Sequence, residues 1–242
     1  MNETLQSAEQ KLAMVYDRGY IMGRSGARRP ILGVVSQDEA LWMVELIRKN
    51  RLAATLETGV ANGLSTLAIA SAVQELGGHH FGVDPCQNSD HDEAAIVLMN
   101  EFGLLNSFTL LDGPAHLELP HLIQNQKRFD FIFIDGMHLF DFKLIDFFLA
   151  DQLLQPGGFL LFHDLLIPSV KKTLRYIQRH RDYELLPTPT LRPSVIRKMR
   201  YLAAAFLKRR PYWYYWPNGF ANLLVLRKRS EVYHRWDYFK NF

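Results

Sequence analysis

The chain reads as an α/β protein built on a doubly wound sheet. Three observations predict this. Short apolar runs alternate with helix-forming stretches along most of the chain. The stretch Leu52–Asp84, LAATLETGVANGLSTLAIASAVQELGGHHFGVD, reads as strand, tight turn, helix, strand. Glu57, Asp84, Asp112, Asp135 and Asp164 fall at the ends of five successive predicted strands, where ligands bind in such sheets.

The elements follow in order. Residues 2–20 are expected to form a helix and Gly23–Pro30 a flexible basic loop, so that 1–35 is a helical extension. Ser36-Gln37-Asp38-Glu39 is a capping box that opens a helix to about Asn50. Leu52–Glu57 is the first strand, Leu64–Leu76 a helix of good helix formers stopped by Gly77-Gly78, and His79–Asp84 the second strand. A polar loop, Pro85–His91, leads to a helix over Asp92–Phe102. Ser107–Leu111 is the third strand and Leu117–Gln126 a short helix. Phe129–Asp135, FDFIFID, suits the middle of a parallel sheet. His138–Leu154 is a helix ended by Pro156-Gly157-Gly158, and Phe159–Phe162 is the fifth strand. Pro168 starts the next helix at a favoured first position. Tyr183–Leu186 and Phe220–Leu226 are the sixth and seventh strands.

Length and composition fit this scheme. The chain has 242 residues, enough for one domain with a sizeable core over 1–242, and 48% of them are hydrophobic. Its single cysteine, Cys86, excludes an internal disulfide and a thiolate metal cluster and suits the cytoplasm. The polar start MNETLQSAEQK is no signal peptide, and no apolar run is long enough to span a bilayer. Charge is unevenly spread. Leu185–Ser230 holds ten Lys and Arg and no acid, while the net charge is only +3.

The central unit suits a nucleotide-like ligand. Gly59-Val60-Ala61-Asn62-Gly63 is a turn of small residues that lets backbone approach a ligand, at the start of a helix with free N–H groups. Asp84 comes 21 residues after Gly63, near the spacing at which an acid reaches a ribose. Ala61 and Leu64 stand where the dinucleotide fingerprint needs glycines. The pattern Glu57-x-Gly59-x-Ala61-x-Gly63 instead resembles the first motif of class I S-adenosylmethionine-dependent methyltransferases, with Ala61 in place of the middle glycine. Ile134-Asp135-Gly136-Met137-His138, then Asp146, Leu154, Pro156-Gly157-Gly158 and His163-Asp164, resembles a subfamily with the pattern I-D-G-x-H, L-x-P-G-G, H-D. Several members act on sugars or natural-product hydroxyls. The likeness runs in order from about Ser36 to Tyr183, and the capped helix before the first strand resembles catechol-type O-methyltransferases.

The resemblance implies a Rossmann-like methyltransferase fold with a seven-stranded sheet, mostly parallel, whose seventh strand is antiparallel. It implies S-adenosylmethionine as cofactor. It places Glu57, Gly59, Ala61, Asn62, Gly63, Ser65 and Asp84 around that cofactor, with Asp112 and Gly113 near its adenine and Asp135 near its reacting end. For Asp112-Gly113 a simple turn is an equal alternative.

Methyl transfer to a hydroxyl needs a base. His138 is the candidate, since histidine can accept a proton at neutral pH. In catechol-type enzymes a lysine base holds this position, three after the aspartate of the fourth strand. Asp135 is the other catalytic candidate. A helix-capping role for His138 is the plain alternative. Asp135 and Asp164 could hold Mg²⁺, but the catechol-type site continues with an asparagine where Leu165 stands, so the metal is left open.

The stretch 189–218 reads as a basic and aromatic insertion between the sixth and seventh strands, with a helix between Pro193 and Pro211 followed by Tyr212-Trp213-Tyr214-Tyr215-Trp216. Residues 191–216 suit peripheral membrane contact, nucleic acid, an anionic sugar carrier or an acceptor lid, or else a solvated basic face with aromatics packed on the sheet edge, or a dimer contact. A homo-oligomer is left open. The D/N-P-P-Y/F motif common in base methyltransferases is absent, which argues against nucleic acid. The expected partner is a small-molecule or sugar acceptor. An RNA methyltransferase and a non-catalytic binding protein with a membrane-facing insert are the rivals.

Overall fold

The structure is a computed structural model that describes residues 6–31, 34–188 and 222–242. The 189–218 insertion, with its helix, aromatic run and membrane or lid role, lies outside the described residues.

Seven strands form one sheet. They are β3 (Ala54–Thr58), β4 (His79–Val83), β5 (Phe108–Leu111), β6 (Phe129–Ile134), β7 (Leu154–Phe162), β8 (Tyr183–Leu186) and β9 (Leu224–Lys228). The order is β5-β4-β3-β6-β7-β9-β8, parallel from β5 to β7, with β9 antiparallel to both its neighbours. This is the doubly wound sheet with an antiparallel seventh strand that the sequence predicts. Strand order reverses between β3 and β6, and ligand crevices open outside the strand ends at such a point. Buried side chains form two clusters. One packs α1 (Ala8–Arg18), α2 (Gln37–Asn50), α3 (Leu64–Glu75) and α4 (Ala94–Glu101) around Phe131, Phe133 and Leu161. The other packs α5 (Ala115–Gln124), α6 (Phe140–Leu153) and α7 (Pro168–His180) around Leu56, Ile132 and Leu160.

Several expectations are corrected. The N-terminal segment is not wholly helical. After α1, which Gly19 ends in the left-handed region, Tyr20–Met22 (β1) and Arg28–Pro30 (β2) pair as an antiparallel hairpin. The stretch read as a flexible loop is therefore ordered, because Gly26 at φ +83 allows the tight turn and Arg28 lies 4.5 Å over the Tyr20 ring. Strand β7 starts at Leu154, so Pro156-Gly157-Gly158 lies within a strand. A Cβ on Gly158 would come 3.0 Å from Asp130 O, and its absence lets the two strands run close. Helix α6 starts at Phe140, which leaves His138 in the preceding loop rather than on a helix. The capping side chain of α2 forms as predicted, with Ser36 and Glu39 satisfying each other's backbone N–H.

The basic stretch is not all surface. Lys228 is buried at 1% exposure and donates to Asp151 O (2.6 Å), Leu154 O (3.0 Å) and Glu231 Oε1 (2.8 Å). A buried ammonium is costly unless paired; here it ties β9 to the end of α6. Among the described residues no helix is long and apolar enough to cross a membrane.

Candidate active site

The turn after β3 is held by acids that the sequence places near a ligand. Asp84 Oδ2 accepts from the N–H of Val60 (2.9 Å) and Ala61 (2.7 Å), and Oδ1 from that of Cys86 (2.7 Å). Three of its four lone-pair positions are thus used by backbone, and the residue still lines the cavity described below. Ala61 sits at φ +47, where a non-glycine residue is strained, and those bonds hold it there. Gly59, at φ +87, faces the end of β6 so closely that a Cβ would lie 2.6 Å from Asp135 O. Gly63 caps α3, and a Cβ there would meet Ala95 at 2.9 Å.

Glu57 does not reach the cavity. It is fully buried behind the turn, accepting from the Thr66 hydroxyl and lying 3.1 Å from His80 Nε2, whose Nδ1 contacts Thr55 Oγ1 at 2.9 Å. Glu57 thus lies under the turn, outside the lining of the cavity, with its Oε2 buried and without a hydrogen-bond partner.

A cavity of about 410 Å³ opens at the switch point. Its lining includes Thr58, Gly59, Ala61 and Asp84 together with His116, Asp135, His138, Phe142 and Asp146. Ser65, Gly63 and Val35 line a smaller recess of about 30 Å³ that also touches Gly59, Ala61 and Asp135. Asn62 Oδ1 is buried without a hydrogen-bond partner. Asp112 is exposed, accepts from Asn88 (2.6 Å), and with Gly113 stands outside the cavity lining, which is taken up by Pro114, Ala115 and His116.

The chemical end is a cluster of acids and imidazoles. His138 Nδ1 lies 2.6 Å from Gly136 O and donates to it; Nε2 lies 2.6 Å from Asp164 Oδ2 and 4.0 Å from Asp135 Oδ1. Asp135 Oδ1 is buried with no hydrogen bond. Asn222 donates to Asp164 Oδ1 at 3.2 Å. Burial raises the Asp164 carboxyl, but the bond to His138 and the charge of His163 outweigh it and hold it at about 2. Asp135, His138 and Asp164 each present one ligand atom, all within 4.8 Å of one another.

Sequence reasoning missed how far this cluster extends. His163, 4% exposed, stands between Glu39 Oε2 (3.5 Å from Nε2) and Asp135 Oδ2 (3.5 Å from Nδ1). The capping-box glutamate of α2 thus reaches the site, and a box signal reports only its local partner. Lys143, fully buried, donates to Gly136 O at 3.2 Å; burial lowers its pKa although Asp135, Asp146 and Asp164 oppose this. Burial raises Asp146 to about 6. A charged residue on a helix gave no sign that it would be buried here.

Burial alone would lower the His163 pKa, yet Asp135 and Glu39 outweigh it and push it up to about 10. The folded value exceeds the unfolded value of about 6.5. The stabilisation is complete below that pH and is lost as pH rises through about 10. Tm should therefore decline from pH 7 to 10, and His163→Asn should flatten the decline. An equal slope in the variant would assign the loss to other groups.

The comparisons agree with this geometry. A family model described as a methyltransferase domain matches residues 56–165. Over that stretch, just under half of its length, the chain is similar to methyltransferase domains. Caffeoyl-CoA O-methyltransferase 2 of Eucalyptus globulus is 27% identical over 161 residues, which is 64% of each protein. The match thus spans less than two thirds of that relative. In fold, the chain is similar to an O-methyltransferase of Streptomyces achromogenes involved in tomaymycin synthesis, solved with S-adenosylmethionine (TM-score 0.63, 17% identity, 95% of this chain and 91% of that one). It is also similar to the O-methyltransferase of Bacillus cereus solved with S-adenosylhomocysteine (TM-score 0.63, 14% identity, 94% of each).

Proposed function

We propose that this chain transfers the methyl group of S-adenosylmethionine to a hydroxyl of a small molecule or sugar, with His138 taking the proton. The observation that carries the reading is one cavity joining the strained glycine turn to the His138 cluster. The cofactor fits the residues present. Thr58, Gly59, Ala61 and Asp84 line the cavity together with Asp135, whose Oδ1 is buried and unpartnered, as is Oδ1 of Asn62 in the turn. Gly59, Ala61, Asn62, Gly63, Ser65 and Asp84 would hold the cofactor, and Asp135 would face its reacting end. S-adenosylmethionine supplies an electrophilic methyl group on a positively charged sulfur.

The chain's own residues manage the proton. Gly136 O holds the proton on Nδ1, so Nε2 is the nitrogen that exchanges. Asp164 Oδ2 stands 2.6 Å from Nε2, and the proton transfer uses the neutral ring, whose Nε2 lone pair is the accepting site. His138 becomes a base when an acceptor hydroxyl replaces Asp164 at Nε2. Asp164, steadied by Asn222, then offsets the charge that the ring gains.

A second reading is favoured by the unpartnered Asp135 Oδ1 and by its convergence with His138 Nε2 and Asp164. These three would hold a divalent cation such as Mg²⁺, and a ring whose Nδ1–H bonds a backbone carbonyl is oriented as metal-ligating histidines are. Such an ion would lower the pKa of an acceptor hydroxyl.

Transfer of labelled methyl should be measured with a panel of caffeoyl-CoA, simple catechols, sugars and RNA, with and without chelator. The proposal expects label on a hydroxyl compound. Label on RNA alone would overturn the acceptor class. Loss of turnover in chelator, restored by Mg²⁺, would assign Asp135, His138 and Asp164 to a cation. Full turnover in chelator would leave His138 as the base.

A further inference from the structure

The hairpin β1–β2 does more than extend the domain. Its turn grips the loop that walls the cavity. Ser25 donates to Asp92 from its hydroxyl (2.6 Å) and from its N–H (3.2 Å), Arg24 N donates to Asp92 O (2.7 Å), and Arg24 Nη1 meets Glu93 (2.6 Å). Gly23 faces Asp92 so closely that a Cβ would lie 2.1 Å from its Oδ2. Further along, Arg29 donates to Asp90 O (2.6 Å).

The gripped residues are under strain. Asp92 and Glu93 are consecutive non-glycine residues in the left-handed region, at φ +51 and +50. Such a conformation persists when surrounding contacts over-determine it. The loop behind them carries Pro85, Cys86 and His91, which line the 410 Å³ cavity. It is also tied to the glycine turn, since Gln87, fully buried, donates to Ala61 O at 2.6 Å, and Glu93 N donates to Gln87 O at 2.8 Å. One chain of bonds therefore runs from Ser25 through Asp92, Glu93 and Gln87 to Ala61.

We infer that the hairpin turn, through Gly23, Arg24 and Ser25, is a clasp that sets the cofactor-side wall of the cavity and slows cofactor release. These are positioning residues: they stand outside the cavity lining and act through the 85–93 loop. The inference rests on the cofactor reading above. It turns a segment that the sequence presents as a loose basic loop into part of the binding site.

The test uses the full chain and S-adenosylhomocysteine as probe, with affinity from calorimetry and release rate from stopped-flow fluorescence. Ser25→Ala combined with Arg24→Ala should raise Kd and the release rate roughly tenfold. Gly23→Ala, which pushes the Asp92 carboxylate aside, should act in the same direction. Ser25→Thr keeps the hydroxyl and should behave like the wild type. A clasp that only supports the fold would shift Tm and leave release unchanged. Kd and release within twofold of wild type in both Gly23→Ala and the double variant would overturn the inference while the cofactor reading stands. A wild type that binds neither S-adenosylhomocysteine nor S-adenosylmethionine would overturn both.

Discussion

His138→Ala lowers kcat by roughly 10²–10⁴, the usual range for loss of a general base, and leaves cofactor affinity nearly unchanged. The ring is bonded to Gly136 O and Asp164 and makes no hydrogen bond to Asp84 or to residues 59–63, so its removal spares the bonds that hold the turn. Two further readouts separate a base from a cation ligand. A base takes the acidic limb of the pH–kcat profile with it. A ligand takes the response to added Mg²⁺ with it, along with Asp135 and Asp164. Near-normal kcat with the same acidic limb would reduce His138 to a residue that positions Asp164. His163 could hardly substitute as base, because Asp135 and Glu39 keep it protonated up to about pH 10.

Gly59→Ala destabilises the domain by about 2–5 kcal/mol, the sum of a strained φ and an overpacked contact. The new Cβ would sit 2.6 Å from Asp135 O and 2.7 Å from the Asp135 carbonyl carbon, and neither backbone atom can swing aside. For a chain of this length the loss corresponds to a fall in Tm of roughly 5–15 °C. Because the clash lies where β3 and β6 diverge, whatever protein does fold should bind S-adenosylhomocysteine more weakly. Gly77→Ala is the control. Its φ is +66, but nothing stands within 4 Å of the added Cβ, so it carries the backbone strain alone. Equal Tm losses in the two variants would mean that strain, not contact with Asp135, governs the turn.

Much of this was legible in the sequence because it is local or periodic. Alternation of apolar runs such as FDFIFID with helix-forming stretches marks the doubly wound class, and Ser36 with Glu39 marks a helix start whatever packs on it. The acids at the strand ends mark the site because strand ends meet in a doubly wound sheet. Contacts between distant segments were not legible. Glu57 and Asp84 look alike in the sequence, each an acid closing a strand. One is buried against His80 and Thr66 and the other pins the turn while facing the cavity. The difference depends on which neighbour strand each acid faces. Gly23–Pro30 looks mobile by composition, yet it pairs as a hairpin and meets Asp92 across 67 residues of chain. Pro156-Gly157-Gly158 looks like a breaker, and it continues a strand because close approach to Asp130 favours a residue without a side chain.

Calorimetry decides whether the cavity between the glycine turn and His138 is a cofactor site. The wild-type chain should bind one S-adenosylmethionine or one S-adenosylhomocysteine. Asp84→Ala should weaken either by the worth of a charge-assisted hydrogen bond, about 1.5–3 kcal/mol, since it removes both the anchor of the turn and an acid of the cavity wall. No heat with either ligand at high protein concentration, confirmed by an unchanged Tm at saturating ligand, would mean that the cavity is not a cofactor site.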